Sequence, residues 1–191
     1  MLSDLMISKC RIKLLETFLG QPKEIFYIRQ LVRLIGEEIN AVRRELTHLE
    51  KAGIVKKENR GNRIYYWVDS NYSLYGDLLS LFSKRVGLGG AIVKNKNKIG
   101  RVWLAMLSGK FARGLPTEEG AVDLLVVGDV LMPELGKFVH AEETKVGREI
   151  NYTVMSRQEF EFRKKRHDPF LLSILTDARI MLVGDELDLV A

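Results

Sequence analysis

The sequence predicts an α+β chain in two parts, a helix-turn-helix with a basic hairpin followed by a small α/β domain. Three observations predict it. Over residues 27–68 the apolar spacing changes from helical to strand-like around a Gly-Asn turn. Positive charge is confined to one part: residues 1–98 hold 18 Lys or Arg against 10 Asp or Glu, a balance of +8, whereas residues 99–191 hold 12 against 15, a balance of −3. From Arg101 onward strand and helix patterns alternate.

The first helix is expected from about Leu2 to Leu19, with Leu5, Ile12, Leu15 and Phe18 for the core, stopped by Gly20-Gln21-Pro22. A second helix runs from Ile28 to Ile35, burying Leu31, Val32 and Leu34, and Gly36 makes the turn. The third starts near Glu38. Its Ile39, Val42, Leu46 and Leu49 recur at helical spacing and form one buried stripe, which leaves Asn40, Arg43, Arg44, Thr47 and His48 facing out. Lys51-Ala52-Gly53 closes it, with a cation at the negative dipole end and a glycine suited to a left-handed cap. Ile54–Lys57 and Arg63–Val68 then read as a hairpin around Asn59-Arg60-Gly61-Asn62. Asp69-Ser70-Asn71 offers caps for a helix over 72–85 carrying Leu74, Leu78, Leu79, Leu81 and Phe82. That is more apolar surface than one small domain needs, so this helix is expected to pair with its copy in a homodimer.

The outward residues of the third helix carry a chemistry. Arg is a bidentate donor to guanine, Asn pairs its donor and acceptor with adenine, and a helix fits the major groove. Lys56, Lys57, Arg60, Asn62 and Arg63 on the hairpin would then lie on neighbouring phosphates and supply affinity rather than base choice. Glu37 and Glu38 suit the helix dipole but would repel phosphate, unless they point along the turn or accept from a cytosine amine. The expected partner is double-stranded DNA.

Other functions are bounded by composition. No apolar run approaches the ~18 residues of a membrane span, and the first residues carry charges without a signal-like core, so a soluble cytoplasmic protein is expected. Cys10 is the single cysteine, which excludes an intrachain disulfide and a cysteine-rich zinc site; its apolar neighbours mark it as a buried thiol.

Val86-Gly87-Leu88-Gly89-Gly90 and Lys94-Asn95-Lys96-Asn97-Lys98 read as a break and a polar stretch, giving domains 1–85 and 99–191 with a linker over 86–98. Strands are expected at Arg101–Leu107, Ala121–Val127, Arg148–Met155 and Arg179–Val183, with a helix near Pro133–Lys145. Ser156-Arg157-Gln158-Glu159 is a capping box, and Asp168-Pro169 opens a last helix. The run Arg163-Lys164-Lys165-Arg166-His167 reads as a solvated helix end, with phosphate or an acidic partner as the alternative. His140 and His167 have no ligand-spaced neighbours, so no metal role is assigned.

The segment Ser108-Gly109-Lys110-Phe111-Ala112-Arg113-Gly114, followed by Ala121-Val122-Asp123, resembles the signature of the minimal nucleotidyltransferase fold: Gly-Ser, a loop ending Ala-Arg-Gly, and Asp-x-Asp on the next strand. With residues 1–85, the whole chain resembles prokaryotic regulators that join an ArsR-like winged helix-turn-helix to a nucleotidyltransferase-like domain. The departures matter more than the matches. The family serine holds nucleotide phosphate and its two aspartates bridge two magnesium ions; here Lys110 replaces the serine and Ala121 the first aspartate, leaving Asp123 and, on the next strand, Glu149. Magnesium needs several hard oxygen ligands, so the resemblance implies a degenerate site with no catalysis and no cofactor. Gly109, Lys110, Arg113 and Asp123 remain candidates for nucleotide binding. Lys110 with Arg113 would hold phosphate, or Lys110 would pair with Asp123 in place of the lost metal; buried charges are normally paired, which favours the pair.

The expected function is a DNA-binding transcriptional regulator whose second domain senses or assembles. The alternatives are a working nucleotidyltransferase targeted by the winged helix, or an antitoxin-like module that binds a protein.

Overall fold

A computed structural model describes residues 8–118 and 120–189, and the chain divides into two compact units between Phe82 and Ser83. The fold is mixed α+β. Among the described residues no helix is long and apolar enough to cross a membrane.

In the first unit, Ser8 opens α1 (Lys9–Gly20): its Oγ accepts from the Arg11 N–H at 3.2 Å. Ile12, Leu14, Leu15, Phe18 and Leu19 are buried; the expected start at Leu2 and the core position Leu5 lie outside the described residues. β1 (Phe26–Tyr27) leads into α2 (Ile28–Ile35), and Gly36, at φ 64° in the left-handed region, turns the chain into α3 (Ile39–Lys51). α2 buries Leu31 and Ile35, but Leu34, expected in the core, is 58% exposed. The helical wheel explains the difference: at about 100° per residue, Leu31, Ile35 and Val32 form one fan and Leu34 falls outside its edge. α3 buries Val42, Leu46 and Leu49 as its spacing predicts.

β2 (Val55–Arg60) and β3 (Arg63–Val68) are antiparallel with Arg60 opposite Arg63, so the turn is only Gly61-Asn62, two residues tighter than expected. Gly61 sits at φ 60°, the positive φ that a II′ hairpin requires at its first central position. β1 pairs with the free edge of β3, giving the order β1-β3-β2. α4 (Tyr75–Ser83) is shorter than the expected 72–85, because Asp69 accepts from Asn71 N and a turn precedes the helix.

The second unit is a sheet covered on both faces. β4 (Gly100–Ser108), β5 (Leu124–Val130), β6 (Tyr152–Met155) and β7 (Arg179–Val183) lie in the order β6-β5-β4-β7, with β5 and β6 parallel and the other pairs antiparallel. Leu104, Met106, Leu125 and Val127 share one parity and pack with Met155, Phe160 and Leu171, the last two from α8 (Arg157–Lys165) and α9 (Pro169–Thr176). Ser156 and Asp168 cap those helices, accepting from Glu159 N at 3.1 Å and Leu171 N at 3.0 Å.

Residues 86–98, expected as a linker, belong instead to α5 (Gly87–Ile99), which packs with α7 (Met132–Val146), β4 and β7. The glycines that read as breakers are close-packing positions. A Cβ on Gly89 would stand 2.2 Å from Ser83 O, and 2.9 and 3.1 Å from Leu182 and Leu107; one on Gly90 would stand 2.3 Å from Arg85 O. Lys94, Lys96 and Lys98 form the solvent face of a helix whose Leu88, Ile92 and Ile99 are buried. It kinks at Asn95, whose Nδ2 donates to Ala91 O at 2.9 Å. Among the described residues between β4 and β5 there is one helical turn, α6 (Gly109–Ala112).

Candidate functional site

The outward face of α3 keeps the composition its sequence predicts: Asn40, Arg43, Arg44, Thr47 and His48 are all exposed. At about 100° per residue Asn40, Arg44 and Thr47 occupy its centre, with Arg43 on one flank and His48 on the other. Neighbours agree with that placement. Arg43 acts electrostatically on Tyr66 of β3, and the His48 Nδ1 lies 3.2 Å from an Arg11 guanidinium nitrogen on α1. Thr47 Oγ1 donates back to Arg43 O at 3.0 Å. Among the described residues neither Asn40 nor Arg44 spends its side chain on a hydrogen bond or an ion pair, so both are available to an outside partner.

The two acidic residues at the mouth of α3 are consumed internally. Glu38 is its N-cap, accepting from Asn40 N at 2.7 Å and Ala41 N at 3.1 Å. Glu37 pairs with Lys13 at 2.6 Å, and the same ammonium donates to Ile35 O at the end of α2. Glu37 is thus paired with a cation, and Glu38 turns one carboxylate oxygen back onto the N–H groups of the helix it caps.

A buried carboxylate positions this helix. Glu45, 4% exposed, accepts from Ser8 Oγ at 2.8 Å and from Arg11 Nε at 2.8 Å. Burial pushes its carboxyl pKa up, but the Ser8 and Arg11 hydrogen bonds outweigh that and hold it below the ordinary value. The sequence carries the signal for it, since Glu45 lies three residues beyond Val42 and four before Leu49, bordering the apolar stripe. His48 Nδ1 is 3.7 Å from the same carboxylate, so this expected base reader is engaged on that edge and has Nε2 left for a ligand.

The hairpin cations, expected as one set, are sorted by the pleat of the sheet into two. Lys57 shares the face of Tyr66 and bonds to Glu50 of α3 at 2.9 Å, an interaction that raises its pKa. Lys56, Arg60 and Arg63 are on the other face. Lys56 pairs with Asp69 at 3.0 Å, Arg60 bonds to Glu58 at 2.6 Å and lies over the Tyr65 ring, and Arg63 lies 4.9 Å from the Tyr27 ring centre. Arg33 donates to the Tyr27 hydroxyl. Asn62 is exposed at the turn. Tyr27, Tyr65 and Arg33 are missing from the sequence expectation; the alternation Arg63, Tyr65, Trp67 signals Tyr65, whereas Tyr27 and Arg33 reach this face only through the fold.

In the second unit the expected Lys110–Asp123 pair does not form. Asp123 is fully buried and lies just before β5, not on it. Its partner is Arg148, not Lys110: the guanidinium donates to both carboxylate oxygens at 2.8 and 3.1 Å, and Asn151 N adds a third bond at 3.2 Å. The pairing raises the Arg148 pKa; residues 148–151 form a loop where a strand is expected, with β6 beginning at Tyr152. Lys110 pairs with Glu118 at 2.8 Å instead. The Gly109 N–H donates to Ala178 O at 2.6 Å and a Cβ there would meet that oxygen at 2.8 Å, so this glycine serves packing against the start of β7. Arg113 and Glu149 are exposed. Among the described residues no group of three or more His, Cys, Asp or Glu is arranged to hold a metal.

The basic run ending α8 is engaged locally. Arg163 bonds to Glu159 at 2.9 Å, Lys164 donates to Asp188 O at 3.1 Å, and Arg166 stacks 4.7 Å from the Phe162 ring centre. Comparison of the chain with protein families, curated proteins and solved structures finds no match in any of the three.

Proposed function

We propose that the chain is a cytoplasmic, sequence-selective DNA-binding transcriptional regulator, with residues 8–82 acting as a winged helix-turn-helix and α3 as its recognition helix. The observation that carries this reading is the centre of the α3 face, where Asn40 and Arg44 are exposed and unspent while Glu37 is paired with Lys13 and Glu38 caps the helix. Asn and Arg are the side chains with bidentate complements on adenine and guanine. Lys57 lies on the side of the hairpin facing α3, and it and the exposed tip at Gly61-Asn62 supply phosphate contacts.

The regulator acts as a homodimer through α4. Leu74 and Leu81 are 52% and 38% exposed and, with Leu78, stand at helical spacing on one side, a stripe that a second copy would cover. The second unit is a nucleotidyltransferase-like module without catalysis, a reading supported by the Arg148 clamp on Asp123. Selection from a random duplex library tests the proposal: enrichment of a dyad-symmetric site supports it, and failure to enrich any sequence at low salt refutes it.

A further inference from the structure

A cleft of about 260 Å³ opens in the second unit between α9, the start of β7 and the loop that follows α6. Its floor is apolar, made of Met106 and Leu125, with Ile174 and the 42% exposed Phe170 on one wall. Its rim carries Lys110, Glu118, Asp177 and Arg179. The two cations differ in how firmly they are held. Arg179 donates twice to Glu186 Oε2, at 3.0 and 2.9 Å, and also to the carbonyls of Leu175 and Asp177. Lys110 has one acceptor, Glu118, whose side chain is 84% exposed on a loop. An exposed pair of this kind exchanges readily because water and salt screen it.

We infer that this cleft binds a small apolar monocarboxylate, whose hydrocarbon body lies on Met106, Leu125, Phe170 and Ile174 and whose carboxylate displaces Glu118 from Lys110. Three features select that class. The volume is below the roughly 300–1,000 Å³ of pockets for drug-sized ligands, which suits a ligand smaller than a nucleotide. The Gly109 N–H and Asp123 are already engaged, so neither is offered to a phosphate or a metal at the cleft. Asp177, on the same rim as Lys110, adds a negative charge that disfavours a dianion. The role of such a ligand as an effector of DNA binding rests on the regulator reading; its binding does not.

Titration of the full-length chain without DNA, followed by calorimetry and amide NMR, uses phenylacetate and phenylpropionate against benzylamine, inorganic phosphate and ATP with magnesium. The aromatic acids bind, and the amine, phosphate and ATP do not. Lys110→Gln weakens phenylacetate by about tenfold, the worth of a hydrogen bond to a charged group. Glu118→Gln, which frees Lys110, tightens it about two- to fivefold, the worth of an exposed pair. Melting curves of both variants confirm that the unit stays folded. The inference is overturned by no acid binding, by equal binding in Lys110→Gln, by weaker binding in Glu118→Gln, or by ATP displacing the acids. Loss of DNA binding with acid binding intact refutes the regulator reading alone.

Discussion

Removing one member of the Arg148–Asp123 pair tests whether Asp123 is a structural anchor. Asp123 is fully buried, whereas the Arg148 side chain is 37% exposed, so the two deletions are unequal. Arg148→Met leaves a carboxylate out of water with one backbone N–H donor, from Asn151; orphaning a buried charge in this way costs about 3–5 kcal/mol. Asp123→Asn keeps the shape and leaves a guanidinium that can turn to solvent, at a cost of about 1–2 kcal/mol. With a urea slope of about 1–3 kcal/mol per molar, Arg148→Met moves the unfolding midpoint of the second unit down by on the order of 2 M and Asp123→Asn by less than 1 M. The double variant is more stable than Arg148→Met, because no charge is stranded. Equal effects of the two single variants would refute this reasoning, as would magnesium raising the melting temperature of the wild type but not of Asp123→Asn.

Gly89→Ala places a Cβ 2.2 Å from Ser83 O, so overpacking of about 1–3 kcal/mol or more lowers the melting temperature, whereas Gly136→Ala, with open space around it, stabilises slightly or is neutral. Glu45 and Asp69 both hold carboxyl pKa values below the ordinary ones, Asp69 through hydrogen bonds from Lys56 and Asn71 N that outweigh its slight burial. A lowered folded pKa gives stability that is present above the unfolded value and lost as pH falls through the folded one, so the first unit weakens below pH about 4; Glu45→Gln flattens that acid limb in circular dichroism. Leu81→Glu in the exposed stripe of α4 shifts the mass by light scattering from dimer toward monomer with little change in melting at equal subunit folding, and an unchanged mass contradicts the dimer.

Much of this was legible in the sequence where one pattern dominates. The stripe Val42, Leu46, Leu49 and the glycine at 36 define α3, and β7 falls where Arg179–Val183 was read. Residues 86–98 were misread because glycine serves both as a helix breaker and as a close-packing residue, and only the approach of Ser83 and Arg85 distinguishes the two. The Lys110–Asp123 pair was misread for a different reason. The rule that a buried charge is paired holds for Asp123, but its partner is Arg148, twenty-five positions away, since the loop before β6 brings a bidentate donor to it. Glu118, in a loop that carried no pattern, took the lysine. Side-chain pairing across such distances depends on loop paths that periodicity does not encode.

The central claim is that the middle of the α3 face reads bases. Its most direct test is the binding free energy of wild type and Arg44→Ala on the selected duplex and on its single-base variants, at fixed salt and across a salt series. Arg44→Ala should cost about 1–3 kcal/mol and erase discrimination at one base-pair position per half-site, whereas Lys57→Ala should weaken all duplexes alike and reduce the salt slope by about 1. Unchanged affinity and unchanged discrimination in Arg44→Ala would contradict the account.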